Sequence, residues 1–244
     1  MKVALCLSGQ PRFVNQCVPT VQEHILDGND VDVFYHTWFD ASEVGKSYGT
    51  SIPYQSGKVG NVLPDTLEIL STLKPLKSLA EPQKYFDFTD RLKGSPTAVP
   101  HHIASMFYSI MRCAQIREEY TVESGVKYDL IIRARMDLYY GSKVDLNGLF
   151  EIASQGKLAS PYRWQNERMG MIAGLGNYTM NADFAASNTE TMKIFTDVFY
   201  RMEEINTKIY PPFTENYAGY RTRVMGGIEV VPFHLDIDIM QRKI

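Results

Sequence analysis

Tyr128-Asp-Leu-Ile-Ile-Arg-Ala-Arg-Met-Asp137-Leu-Tyr-Tyr140 is the stretch on which the reading of the fold turns. Leu130, Ile131 and Ile132 form a continuous apolar run, the kind that fills a strand covered on both faces. Arg133, Arg135 and Asp137 then follow at spacing two. Alternate residues of a strand share a side, so the three are expected to project together near its carboxyl end. Charges on a strand that begins as core are costly unless they pair or meet a charged ligand. The carboxyl edge of an open α/β sheet is where ligands bind. Two guanidiniums and a carboxylate suit a phosphorylated ligand, the arginines holding phosphate oxygens and the acid a divalent cation. The plain alternative is a structural Arg–Asp ion pair at a strand end, and the triplet by itself leaves both readings open.

Just upstream, His101 to Tyr120 reads as a helix, with Ile103, Met106, Phe107, Ile110, Met111, Ala114 and Ile116 at helical spacing. A break at Glu123-Ser-Gly125 separates it from the charged strand, a βαβ-like succession that implies a parallel sheet. At the N-terminus, Val3 to Leu7 reads as a buried strand, Ser8-Gly-Gln-Pro-Arg12 as the loop leaving it, and residues 13 to 26 as a helix interrupted by Pro19. Gly9 permits a tight turn or close approach to a ligand. The loop is neither the GxGxxG fingerprint nor a P-loop. Arg12 suits a phosphate contact, or a surface position at a helix start.

Asp32 to Trp38 and Lys77 to Glu81 read as two further strands, with a short helix after Pro64-Asp65. His36 in the first of these strands is either a hydrogen-bonded core residue or a site residue. Residues 40 to 62 lack a period and read as a long loop of the sort used as a lid. Beyond Asp137 the chain changes character: a turn or short helix at Asp145, a strand over Lys157 to Pro161, then a polar, glycine-bearing stretch from Arg163 to Tyr178. A helix is expected from about Ala186 to Asn206, another from Glu215, and a last strand over Ile228 to Phe233. With no repeat or clear linker, residues 1–244 read as one α/β domain with two functional halves.

Composition excludes several classes. A net charge of −3 and no long basic run argue against a nucleic-acid coat. No segment reaches the ~18 apolar residues of a membrane span. The apolar N-terminal run is too short for a signal peptide, and the three cysteines lack metal-ligand spacing. A reducing, cytoplasmic location is expected.

Several of these pieces occur in an order that resembles a family of small GT-A-type glycosyltransferases of bacterial polysaccharide loci and large DNA viruses. They are Ser8-Gly-Gln-Pro-Arg12, the DVFYHTW strand from Asp32 to Trp38, Tyr108-Ser-Ile110, YDLIIRARMD from Tyr128 to Asp137, Asp183-Phe-Ala185 and Glu215. The resemblance covers most of the chain. It implies a Rossmann-like nucleotide-binding sheet, residues 1–140, followed by a mixed acceptor-binding half, residues 141–244. The implied activity moves a sugar from a nucleoside-diphosphate sugar to an acceptor hydroxyl, as of a glycan.

The resemblance further implies that Ser8, Gly9, Gln10, Arg12 and His36 line the nucleotide pocket, with Arg133 and Arg135 on the diphosphate. GT-A enzymes usually carry an Asp-x-Asp motif for the metal, whereas this chain has Arg135-Met-Asp137. Asp137 is left as the candidate ligand for Mn²⁺ or Mg²⁺, with His234 as a second, although a guanidinium can itself neutralise a diphosphate. Asp183 is the first candidate for the base that takes the acceptor proton and Glu215 the second; as plain alternatives, both are acids at helix starts. Two rival functions remain: a non-catalytic nucleotide-sugar-binding module of a polysaccharide assembly, and a sugar nucleotidyltransferase, which would be expected to have a richer glycine loop.

Overall fold

A computed structural model describes residues 1–45, 47–48, 60–94, 99–161, 180–209 and 212–239. The strands are β1 (Val3–Gly9), β2 (Val31–Trp38), β3 (Ser47–Tyr48), β4 (Gly60–Asn61), β5 (Lys77–Glu81), β6 (Leu130–Arg135), β7 (Leu138–Tyr140), β8 (Leu158–Pro161), β9 (Phe184–Ser187), β10 (Val230–Phe233) and β11 (Ile237–Ile239). The helices are α1 (Val14–Val21), α2 (Thr66–Ser71), α3 (Pro100–Ser124), α4 (Leu146–Ser154), α5 (Thr189–Thr196), α6 (Val198–Asn206) and α7 (Thr214–Gly219).

Seven strands form one sheet in the order β10-β8-β9-β6-β1-β2-β5. β5, β2, β1 and β6 run parallel, β9 runs antiparallel to β6 and β8, and β10 returns parallel to β8. This is an α/β architecture, a Rossmann-like parallel part continued by a mixed part. From β1 the chain steps outward to β2 and β5, then crosses back through α3 to β6 on the other side of β1. The order therefore reverses between β1 and β6, and the carboxyl ends of the strands at such a reversal are where open α/β sheets take ligands.

Helices cover both faces. Val3, Leu5, Leu7, Leu130, Ile132 and Ala134 pack towards α1, α2 and α4. Ala4, Cys6, Phe34 and Ile131 pack towards α3 and the later helices. Burying each large side chain contributes about 1.5–3 kcal/mol, so the apolar run of β6 offsets the several kcal/mol that an interior ion costs. The expected α3 extends to Ser124, where Gly125 in the left-handed conformation caps it by donating to Thr121 O at 2.9 Å. Pro19 lies inside α1, which passes into a π turn over Gln22–Leu26.

Two expectations need correction. The helix expected from Ala186 starts at Thr189, because Ala186 belongs to β9 and Asn188 caps α5 by accepting from Thr191 N at 2.9 Å. It is also two helices, broken at Asp197, whose carboxylate accepts a two-pronged bond from Arg221 at 2.6 and 2.8 Å. Most of the expected lid loop, 46 and 49–59, and the stretch 163–178 lie outside the described residues. Among those described, no helix is long and apolar enough to cross a membrane.

Candidate functional site

The carboxyl end of β1 is built by two unusual backbone conformations. Gly9 has φ +123°, open to glycine and few others, and no atom of the described residues lies within 4 Å of where its Cβ would stand. Arg12 N then donates to Gln10 O at 2.9 Å, and Phe13 is left-handed at φ 55°. A bulky residue there stores strain of order 1–3 kcal/mol and needs its surroundings to hold it. Phe13 is held against Cys17 and Tyr139. The turn sends Arg12, only 9% exposed, back over the sheet end.

There it meets the charged strand. Arg12 Nη2 donates to Asp137 Oδ2 at 2.7 Å. Arg135 forks onto the same carboxylate, Nε to Oδ1 and Nη2 to Oδ2, both at 2.7 Å. The remaining terminal nitrogen, Nη1, donates to Asp183 Oδ1 at 3.1 Å. Strand polarity explains the arrival of Asp183. Because β9 is antiparallel, its beginning lies at the edge where the parallel strands end. Register pairs Arg133 with Ala185 and Ala134 with Phe184, which sets Arg135 opposite Asp183. Arg135 N also donates to Asp183 O at 3.0 Å.

Arg133 and Arg135 share a side as expected, but their surroundings differ. Arg133 is 1% exposed; its Nε donates to Ser8 Oγ at 3.2 Å, Nη1 to Ala182 O, and Nη2 has no partner among the described residues. Burial lowers its pKa to about 10, with Asp183 opposing the shift. Arg135 keeps 21% of its side chain exposed. Burial favours loss of its charge, but Asp137 and Asp183 outweigh that and raise its pKa. Asp137 lies in the turn after β6, not on the strand. Burial would push its pKa up, and Arg135 and Arg12 together hold it far below the ordinary carboxylate value.

Other expected residues lie elsewhere. His36 is fully buried between Ser109 Oγ (Nδ1, 2.7 Å) and Glu81 Oε1 (Nε2, 3.1 Å), with Trp38 edge-on at 5.0 Å. Burial lowers its pKa to about 4 against the pull of Glu81, while Arg112 and Lys84 add to the lowering. The neutral ring then donates from Nε2 to Glu81 and accepts at Nδ1 from Ser109. This Ser–His–Glu line has the makings of a nucleophile relay, but Ser109 is fully buried, out of reach of a substrate. Glu215 opens α7, and its backbone carbonyl accepts from Met180 N at 3.3 Å, beside the segment that leads to Asp183. His234 lines a cavity of about 210 Å³ with Tyr140, Ser142, Lys143, Asp145 and Asp236; Asp137 is not among its lining residues.

The arrangement around Asp137 does not fit a divalent cation. Both its oxygens already accept guanidinium N–H bonds. Among the described residues, no group of three or more His, Cys, Asp or Glu side chains is gathered to hold a metal. Sequence reasoning missed Asn181, 1% exposed, whose Oδ1 accepts from Asp183 N at 2.7 Å and fixes that residue's backbone. Its signal is the Asn-x-Asp spacing, since asparagine bonds the backbone two residues on.

No family model matches the chain, and no curated protein matches its sequence. Among solved structures, it is similar to the crystal structure of mouse xyloside xylosyltransferase 1 in its apo form. The TM-score is 0.46 at 11% identity, over 95% of this chain and 84% of that one. The likeness is one of chain path in outline, and nothing about activity follows from it.

Proposed function

We propose that the protein is a glycosyltransferase that moves a sugar from a nucleoside-diphosphate sugar to an acceptor hydroxyl, as of a glycan. The observation that carries this reading is the meeting of Arg12, Arg135, Asp137 and Asp183 within hydrogen-bond distance at the strand-order reversal. Among the described residues, three buried or half-buried guanidiniums, Arg133 included, gather with two carboxylates. Guanidiniums so placed suit the oxygens of a diphosphate.

The reaction breaks the bond between the anomeric carbon and the diphosphate oxygen and forms one to the acceptor oxygen. Negative charge gathers on the leaving diphosphate, so Arg135 and Arg12 stabilise the transition state more than the ground state. Asp183, across the strand from Arg135, takes the acceptor's proton, and Glu215 is the second candidate. Gly9 and Gln10 line the donor side, and Ser8, fully buried, holds Arg133 behind them.

A second reading, a nucleotide-sugar-binding module without turnover, is favoured by the Arg135–Asp183 pair, since an oxygen of the candidate base already accepts a guanidinium N–H. Incubation with a panel of UDP-, GDP- and dTDP-sugars separates them. The transferase releases nucleoside diphosphate, slowly even without acceptor; a module binds nucleotide and releases none with any acceptor. Pyrophosphate as the product would replace both readings with a nucleotidyltransferase.

A further inference from the structure

The donor set around Asp137 conflicts with the divalent cation that the GT-A resemblance implies, and the conflict has a chemical content. A cation entering there must displace three charge-assisted bonds from one carboxylate and then sit beside the guanidiniums it displaced. Mn²⁺ and Mg²⁺ need anionic oxygens, and the two acids of this cluster are both engaged by Arg135. The same atoms suit an anion. A guanidinium has five N–H donors. Three of those on Arg135 have acceptors in Asp137 and Asp183, which among the described residues leaves two for a ligand while the fork stays in place. Arg135 is also the member of the β6 pair that keeps solvent contact, Arg133 being sealed beneath Ser8 and Ala182.

We infer that this site binds the diphosphate of a nucleoside diphosphate directly on Arg135, with no divalent cation between them. Asp137 is then a positioning residue: it holds Arg135 and Arg12 in place and touches no metal. The inference rests on the transferase reading above and says which chemistry neutralises its leaving group.

Isothermal titration of UDP, GDP and inorganic pyrophosphate into the full chain, in EDTA and again in Mn²⁺, tests it. Binding is expected in EDTA, with dissociation constants that change by less than about threefold on adding Mn²⁺. Arg135→Ala is expected to weaken binding by about tenfold or more. Arg135→Lys keeps a charge beside both acids but loses the fork; it is expected to melt near the parent and still bind more weakly. Binding that appears only with Mn²⁺, or tightens more than about tenfold with it, overturns the inference and leaves the transferase reading standing. Full affinity in Arg135→Lys and Arg135→Ala also overturns it. If none of the three probes binds in either condition, both the inference and the transferase reading fall.

Discussion

At the ends of β2 and β5, His36 is sealed between Ser109 and Glu81 and sheds its charge; at the ends of β1 and β6, Arg135 is held between Asp137 and Asp183 and keeps it. Both clusters close the carboxyl edge of one sheet, and both confront the cost of burying an ionisable group. Histidine meets it by titrating, since its ordinary pKa lies near neutrality. Arginine has no such exit, so its charge stays and must be answered by acids or a ligand. A site for anions is therefore expected where arginines are buried, and a structural role where the histidine is.

The largest expected effect tests the acids of the charged cluster. Asp183→Asn should cut turnover by about 10²–10⁴-fold while nucleotide affinity stays within about threefold, compared by sugar-transfer assay and titration. Loss of nucleotide binding instead would move Asp183 to the donor side.

Next, Asp137→Ala takes from buried Arg12 the acid it bonds and leaves Arg135 with Asp183, and should cost about 3–5 kcal/mol in denaturant unfolding. A cost below 1 kcal/mol would mean that the cluster is solvated and resembles a surface pair.

The histidine cluster makes a prediction in pH. The folded protein holds the His36 proton less tightly than the unfolded chain, at about 4 against 6.5. Stability from this group is complete above the unfolded value and is lost as pH falls from about 6.5 to about 4, by about 3 kcal/mol at most. Unfolding of the parent and of His36→Gln across that range should differ in slope, the variant being flatter; equal slopes would remove His36 from the account. Asp137 acts lower, its contribution disappearing only as pH drops below the ordinary carboxylate value of about 4.

Two smaller changes sharpen the contrast. Gly9→Ala should cost about 1–3 kcal/mol through backbone strain alone, since its Cβ meets open space, and a melting curve reads it. Ser109→Ala should cost about 1 kcal/mol and leave nucleotide binding unchanged.

Much of the parallel sheet was legible because its signals are local. The apolar run before Arg133 and the stripe of α3 are periodic within a few residues. β9 was not, because Phe184-Ala-Ala-Ser187 has few strand-forming residues and is a strand through its pairing with β6. The break at Asp197 was hidden because Phe195, Val198 and Met202 continue the apolar stripe across it, and Arg221, which grips Asp197, is remote in sequence. In the site, Arg133 and Arg135 are equivalent by spacing. What separates them is depth, which depends on where Ser8 and Ala182 fall, and no local pattern carries that.

The opposed direction of β9 has a consequence for how this edge tolerates change. Arg135 and Asp183 come from segments 48 residues apart, so the chain between them can lengthen or shorten at its loops without moving either group. The ladder itself has no such latitude. One residue gained or lost within Phe184–Ser187 would slide Asp183 about 3.4 Å along β6 and turn its carboxylate to the opposite face of the sheet.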